Sequence, residues 1–307
     1  MKVLVLGGTG MLGQMVSKVL REDEILEVAV TSREVRTNQS AYNPIHINFN
    51  NVDTIVEDIE KVRYDWIVNC IGITKPHIKE KDSQSIANAI LVNSAFPLKL
   101  AKCASCSKIV HITTDCVFSG QKNTPYIEED VHDAMDVYGR SKSMGEFIGK
   151  NVYNLRCSII GPEWRDKPKF LFDIMRSQPK NAMIAGFINH QWNGITTLGL
   201  AKCIRAIIKC DLIPPATLHL FSSKDNTKFD VVRKMLMSIR EDISIDQIRH
   251  NEDKDMRLGS LVSEAGAHIW RLAGYNKIPD LDELLLELFT YMEKDRNESA
   301  NASGDAT

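Results

Sequence analysis

The strongest constraint on this chain is a run of glycines at its seventh residue. Gly7-Gly8-Thr9-Gly10-Met11-Leu12-Gly13 follows the apolar stretch KVLVL and opens a segment, MLGQMVSKVLRED, whose apolar residues recur at helical spacing. A buried strand that turns at once into a helix needs a left-handed residue at the turn. It also needs a bare backbone where a ligand comes close and a third glycine where the helix packs on the sheet. The new helix presents unpaired N–H groups and the positive end of its dipole, the usual seat of a pyrophosphate. A glycine-rich motif alone is weak evidence, but between a clean strand and a clean helix it predicts a dinucleotide site. Gly7, Thr9, Gly10, Met11, Leu12 and Gly13 would build it.

The rest of the chain repeats the alternation. LEVAVTSR, PIHINFN, DWIVNCIG, KIVHITTDCVF and VYNLRCSIIG read as strands. Helices are expected over about 52–62 and 85–104, with another carrying YGRSKSMGEFIGK. DWIVNCIG is uniformly apolar, as expected where helices cover both faces of a parallel sheet. The pattern predicts the α/β class: a Rossmann-type doubly wound parallel sheet with a smaller C-terminal α/β substrate lobe. Residues 1–162 would form the nucleotide domain, with 195–212 returning to it. Residues 163–194 and 213–290, including the strand ATLHLFSS, would form the lobe over the carboxyl ends of the strands. The small polar residues of 295–307 predict a disordered tail.

Bulk properties exclude several function classes. The 307 residues carry a net charge of −2, which gives no electrostatic case for nucleic acid or an acidic membrane as partner. No run approaches the roughly 18 apolar residues of a membrane span, and MKVLVLGGTG is too short in its apolar part for an export signal. Seven cysteines, an odd count, include Cys103-x-x-Cys106 but no second pair at ligand spacing, so no metal site is expected. A reduced, cytoplasmic chain is the expectation.

The second strand ends in Val30-Thr31-Ser32-Arg33. An NAD site places an acid there for the ribose hydroxyl, whereas an arginine suits the extra phosphate of NADP. Ser32 and Arg33 favour NADP; Glu34 is the competing residue. Farther along, Tyr138-Gly-Arg-Ser-Lys142 sets a phenol and an ammonium on one helix face. A nearby Lys⁺ favours the phenolate and draws the tyrosine toward acid/base range.

With GGTGMLG, DWIVNCIG, Asn93, TTDCVFSG, YGRSK, LRCSIIG and INHQWNGITT in view, the chain resembles the extended short-chain dehydrogenase/reductase family. The dTDP-4-dehydrorhamnose reductase branch is the most similar, from Met1 to about Leu285. The resemblance implies a triad. Tyr138 would protonate the substrate carbonyl, Thr114 would hydrogen-bond the same oxygen, and Lys142 would bind the nicotinamide ribose and lower the tyrosine pKa. It also implies that Cys70, Ile71 and Gly72 line the cofactor cleft and that Asn48 and Phe49 lie near the adenine. Alternation along the strand allows only one of Thr113 and Thr114 to face the cleft, and the family register selects Thr114.

Cys116 stands where related dehydratases carry a glutamate, and a neutral thiol is a poor acid for expelling water. The rhamnose-type reductases usually have a tyrosine at this position. The resemblance to GDP-fucose synthase implies a cysteine there that epimerises carbons beside the ketone with a histidine. Glu163 occupies the position of that histidine, which leaves His190 as the other candidate near the pocket. Cys116 is otherwise a small pocket wall. Gln191 and Trp192 would bind substrate through amide and indole, while Trp164 and Arg165 open the second lobe. The expected activity is NADPH-dependent reduction of a keto group on a nucleotide-linked 4-keto-6-deoxy sugar, in deoxysugar and polysaccharide biosynthesis. The alternatives are an epimerase-reductase using Cys116 and a non-catalytic NADP-binding regulatory subunit. A homodimer is the family expectation.

Overall fold

Strands with no polar face belong inside a sheet, and there they lie in a computed structural model that describes residues 1–32, 45–46, 56–57, 59, 61–104, 107–163 and 170–304. The central strands are β1 (Lys2–Leu6), β2 (Glu27–Ser32), β3 (Ile45–His46), β4 (Trp66–Asn69), β5 (Lys108–Thr114) and β6 (Val152–Cys157). A later strand, β11 (Thr217–His219), joins them. The order is β11-β6-β5-β4-β1-β2-β3, with every pairing parallel. Winding proceeds outward on both sides of the β1/β4 boundary, so a crevice opens at the carboxyl ends of those two strands.

Helices cover both faces. On one, α1 (Met11–Arg21) packs along α6 (Thr197–Lys209), and Met15, Val16, Val19 and Leu20 share a core with Cys203, Ile204 and Ile207. On the other, Phe96 and Leu100 meet Leu4, Leu6, Ile67 and Ile109. The long helix there has three parts: α2 (Ser83–Ile90), a π-helical turn (Leu91–Ala95) and α3 (Phe96–Cys103). Next come α4 (Val137–Gly145) and α5 (Leu171–Arg176).

Three small sheets complete the molecule: β7 (Ile159–Ile160) with β10 (Ile195–Thr196), β8 (Met183–Phe187) with β13 (Ser244–Ile248), and β9 (His190–Trp192) between β12 (Asn226–Thr227) and β14 (Lys254–Asp255). Between and after them lie α7 (Lys228–Ile239), α8 (Ser263–Leu272) and α9 (Leu281–Gly304). Backbone bonds tie the β14 region to the loop after β5. Asp255 N–H donates to the Gly120 carbonyl (2.8 Å) and Tyr126 N–H to the Arg257 carbonyl (2.8 Å).

Two expectations need correction. Residues 217–219, assigned from sequence to the smaller lobe, form the edge strand of the central sheet. Leu218 and Leu220 are fully buried there, and sheet pairing across such a distance in sequence leaves no local signal. The tail is not irregular from residue 295, because α9 continues through Gly304. Extending an already docked helix needs no new nucleus, and alanines and Glu298 favour it.

Candidate active site

The glycine turn has the shape its sequence demands. Gly7 adopts φ +80°, its N–H donates to the Thr31 hydroxyl (2.9 Å), and Gly8 N–H donates to the Thr31 carbonyl (3.0 Å). A Cβ on Gly13 would run into the Gly7 carbonyl, so only glycine lets α1 pack this closely. The first-turn amides of Met11, Leu12 and Gly13 have no intrahelical acceptor and no acidic neighbour in that turn. Such a cradle of bare backbone and free N–H groups fits a pyrophosphate. Leu12 can contribute only through its amide, since its side chain is buried in the core. Ser32 is buried at the tip of β2; Arg33, Glu34, Asn48, Phe49, Trp164 and Arg165 lie outside the described residues.

The segment after β4 forms the facing wall. A Cβ on Gly7 would touch Ile71 at 2.9 Å and the Cys70 carbonyl at 3.4 Å, so the two strand ends are adjacent. Asn93, 1% exposed in the π-helical turn, fixes this wall. Its Oδ1 accepts from Ile73 N–H (2.8 Å), and its Nδ2 donates to the Ile73 carbonyl (2.9 Å) and to Ser141 Oγ on α4 (3.0 Å). The wide turn lets a mid-helix amide reach two other segments. A Cβ on Gly72 would sit 4.0 Å from Lys142 Nζ.

Thr114, Tyr138 and Lys142 converge beside this wall. Thr114 ends β5; its hydroxyl donates to Asp115 Oδ1 (3.0 Å) and accepts from Cys116 N–H (3.1 Å), and it is near enough to the Tyr138 phenol to act on its pKa. Lys142 is buried and donates to the Ile112 carbonyl (2.8 Å). Burial pushes its pKa down to about 8, against the pull of Glu146, Cys157 and Cys70. The phenol does not follow the expectation of a lowered pKa. Burial raises it, with Cys116, Asp115 and Cys157 adding to the rise and Thr114 opposing. Desolvation outweighs any help from an ammonium that is itself destabilised. Tyr138 is therefore held protonated, the form needed to donate a proton.

Cys116 and Asp115 form the floor. The thiol is pushed up to about 12, by burial first and then by Asp115, with Lys75 opposing. Burial also raises Asp115, against Lys228, Ser158 and Thr114. A cavity of about 140 Å³ opens nearby, lined by Met11, Ser158, Gly161, Phe170, Trp192 and Lys228 among others. Trp192 is fully buried on β9, with Gln191 half-buried beside it. His190 is not part of this cavity. Its ring packs on Phe187 (4.8 Å between centroids) and His250 (4.9 Å). Glu163 is also committed elsewhere: it is buried and accepts from Phe170 N–H (3.0 Å).

A family model described as the RmlD substrate binding domain matches residues 1–255. The chain belongs to that family. Over 96% of its length it is 25% identical to the dTDP-4-keto-6-deoxy-D-glucose reductase of Streptomyces niveus, covering 98% of that protein. A stretch of 147 residues is 30% identical to methionine adenosyltransferase 2 subunit beta of Danio rerio, 47% of this chain and 42% of that one. The fold matches the dTDP-4-dehydrorhamnose reductase of Bacillus anthracis str. Ames in complex with NADP. The TM-score is 0.75 at 18% identity, over 94% and 99% of the two chains.

In this member of the RmlD substrate binding domain family, the far side of β5 is braced by a buried ion pair. Thr113 faces away from the triad and donates to Glu146 (2.5 Å). Glu146 accepts from Arg156 Nε (3.1 Å) and Nη2 (2.5 Å). Arg156, 2% exposed, also bonds His219 (2.7 Å) and His132 (2.9 Å). The helix expected across YGRSKSMGEFIGK stops at Gly145, which lets the next residue, Glu146, turn inward to this arginine. Lys75, Lys228 and the clamping role of Asn93 are not marked in the sequence. Single polar residues in helices and loops give no signal of what they will face. Among the described residues no cluster suits a metal ion, and no helix is long and apolar enough to cross a membrane.

Proposed function

We propose that the chain reduces the keto group of a nucleotide-linked 4-keto-6-deoxy sugar, with NADPH as reductant. NADPH, when bound, supplies the hydride. Gly7, Thr9, Gly10 and the first-turn amides would hold its phosphates, Ser32 and Arg33 its 2′-phosphate, Asn48 and Phe49 the adenine, and Cys70–Gly72 the cleft wall. The carrying observation is that the Tyr138 phenol, the Thr114 hydroxyl and the buried Lys142 meet beside the wall of this cradle. Tyr138 gives its proton to the carbonyl oxygen as that oxygen gains charge. Thr114 donates to the same oxygen, and Lys142 orients the cofactor ribose. Gln191 and Trp192 border the sugar.

The near-full-length likeness to a named sugar-nucleotide reductase supports this over a regulatory subunit, since the likeness to the adenosyltransferase subunit covers less than half of either chain. The raised thiol of Cys116 speaks against a base that abstracts protons, and so against the epimerase-reductase. The same reading places the protein in the cytoplasm, supported by free thiols at Cys70, Cys116, Cys157, Cys203 and Cys210. It also includes a homodimer through the helices around α4, supported by the exposed apolar side chains of Val131, Met135, Met144 and Ile148. Purified protein mixed with NADPH and a panel of 4-keto-6-deoxy sugar nucleotides should consume NADPH and yield a reduced sugar. Cofactor binding without turnover on any member would overturn the reading in favour of a regulatory subunit.

A further inference from the structure

Two hydrogen-bond donors meet at the inner cavity with no acceptor. The indole N–H of Trp192 is buried and unpartnered. Lys228 Nζ sits 5.0 Å from the centre of the same indole and makes no hydrogen bond or ion pair among the described residues. Both side chains are delivered by backbone register. β12 pairs Asn226 opposite Trp192, and α7 then starts under a capping box in which Thr227 Oγ1 accepts from Asp230 N–H (3.1 Å) and Asp230 accepts from Thr227 N–H (2.9 Å). Lys228 is thus the first residue of a helix whose start is fixed, and its backbone position is fixed with it.

A buried N–H left without an acceptor is costly, and beside it stands a half-buried ammonium with no anionic partner in contact, so the arrangement suits a ligand that brings oxygen acceptors. Two parts of a sugar nucleotide could do so, a diphosphate oxygen or a sugar hydroxyl. Lys228 lies within electrostatic reach of Asp115 and Cys116, as the Tyr138 phenol does, which puts the acceptor on the side of the reacting carbon. Met11, Ser158 and Gly161 line the same cavity. Resting on the reductase reading above, we infer that Lys228 and Trp192 grip a hydroxyl oxygen of the sugar ring beside the keto carbon. They supply a specificity contact from the second lobe that distinguishes a hydroxylated sugar from its deoxy analogue.

The test uses non-reacting probes, so that binding is read apart from turnover. Calorimetry with the full chain saturated in NADP⁺ compares dTDP-, UDP- and GDP-glucose. The best-bound of these is then set against its free nucleoside diphosphate. Lys228→Met should weaken the sugar nucleotide by about tenfold or more, the range of a hydrogen bond to a charged group, and leave the free diphosphate unchanged. Trp192→Phe should shift binding in the same sense, and unchanged NADP⁺ affinity in both variants shows that the fold survives. Equal weakening of sugar nucleotide and diphosphate overturns the inference by placing the acceptor in the diphosphate. Unchanged affinity in Lys228→Met overturns it outright. A wild type that binds none of the sugar nucleotides removes the reductase reading itself, whereas a wild type that binds one while Lys228→Met matches it removes the inference alone.

Discussion

Replacing Arg156 with methionine keeps the volume of the side chain but strips its charge from a site that is 2% exposed. The guanidinium makes two bonds to Glu146, one each to His219 and His132, and stacks over the Phe118 ring at 5.3 Å. Removing one partner of a buried pair strands the other, which costs about 3–5 kcal/mol, mostly as the desolvation of Glu146. Glu146→Gln in the same chain removes the stranded charge, so the double variant should recover part of that loss, with a coupling of about 1–3 kcal/mol. Urea unfolding of the wild type, both single variants and the double variant reads the cycle directly. Acid provides a second axis. Burial works against the Glu146 carboxylate, but Arg156 holds its pKa below the usual 4.5. A depressed carboxyl contributes stability that is present above its unfolded pKa and lost as pH falls through the folded one. The wild type should therefore lose stability on acidification more steeply than the double variant. A cost of under about 1 kcal/mol for Arg156→Met would refute the picture of a desolvated pair, as would strict additivity across the cycle.

Other perturbations address the site. Tyr138→Phe should cut turnover by about 10²–10⁴-fold, the usual worth of a general acid, and leave NADPH affinity intact in a fluorescence titration; near-normal rates would remove the phenol from the mechanism. Cys116→Ser should leave the rate close to wild type, and product formed in deuterated water should carry no deuterium at the carbons flanking the ketone. Wash-in at those carbons would restore the epimerase. Gly13→Ala should lower cofactor affinity and cost about 1–3 kcal/mol of stability as the Gly7 carbonyl is pushed away, read by titration and thermal melting. Lys142 has its pKa depressed from 10.5 to about 8. Between those values the unfolded chain binds the extra proton, so stability attributable to this residue rises with pH and is lost as pH falls through the folded value. Melting curves across that window should rise less in Lys142→Met than in the wild type, and parallel profiles would contradict the shift.

Legibility in the sequence followed how local each cause is. The strands at Lys2–Leu6, Trp66–Asn69 and Lys108–Thr114 announce themselves because burial on both faces demands an unbroken apolar run. The glycine turn is legible because its backbone excludes other residues. Strand alternation also anticipates the geometry of Thr113 and Thr114: one hydroxyl turns to Glu146, the other to the phenol. The edge strand at Thr217–His219 was misplaced because its partner, β6, lies some sixty residues upstream in the register Thr217↔Asn154. The tyrosine was expected to be acidified because spacing reports that a lysine is near but not that both groups are desolvated. Lys228 carries no mark in the sequence, because a lysine opening a helix is ordinary until the fold sets it over a buried indole.

The π-helical turn at Leu91–Ala95 also bears on how this helix can change over evolutionary time. Such a turn is what a single inserted residue makes of a regular helix, and each residue advances the helix by about 100°. Deleting one residue here would restore an ordinary helix with all its backbone bonds and keep its two flanks nearly in phase, yet it would remove the widened turn itself. Asn93 would lose its reach to Ile73 or to Ser141, and the wall of the crevice would come loose from α4. The more regular helix would thus belong to the poorer site. Length variants within this segment should be poorly tolerated, while point substitutions on its outer face pass freely.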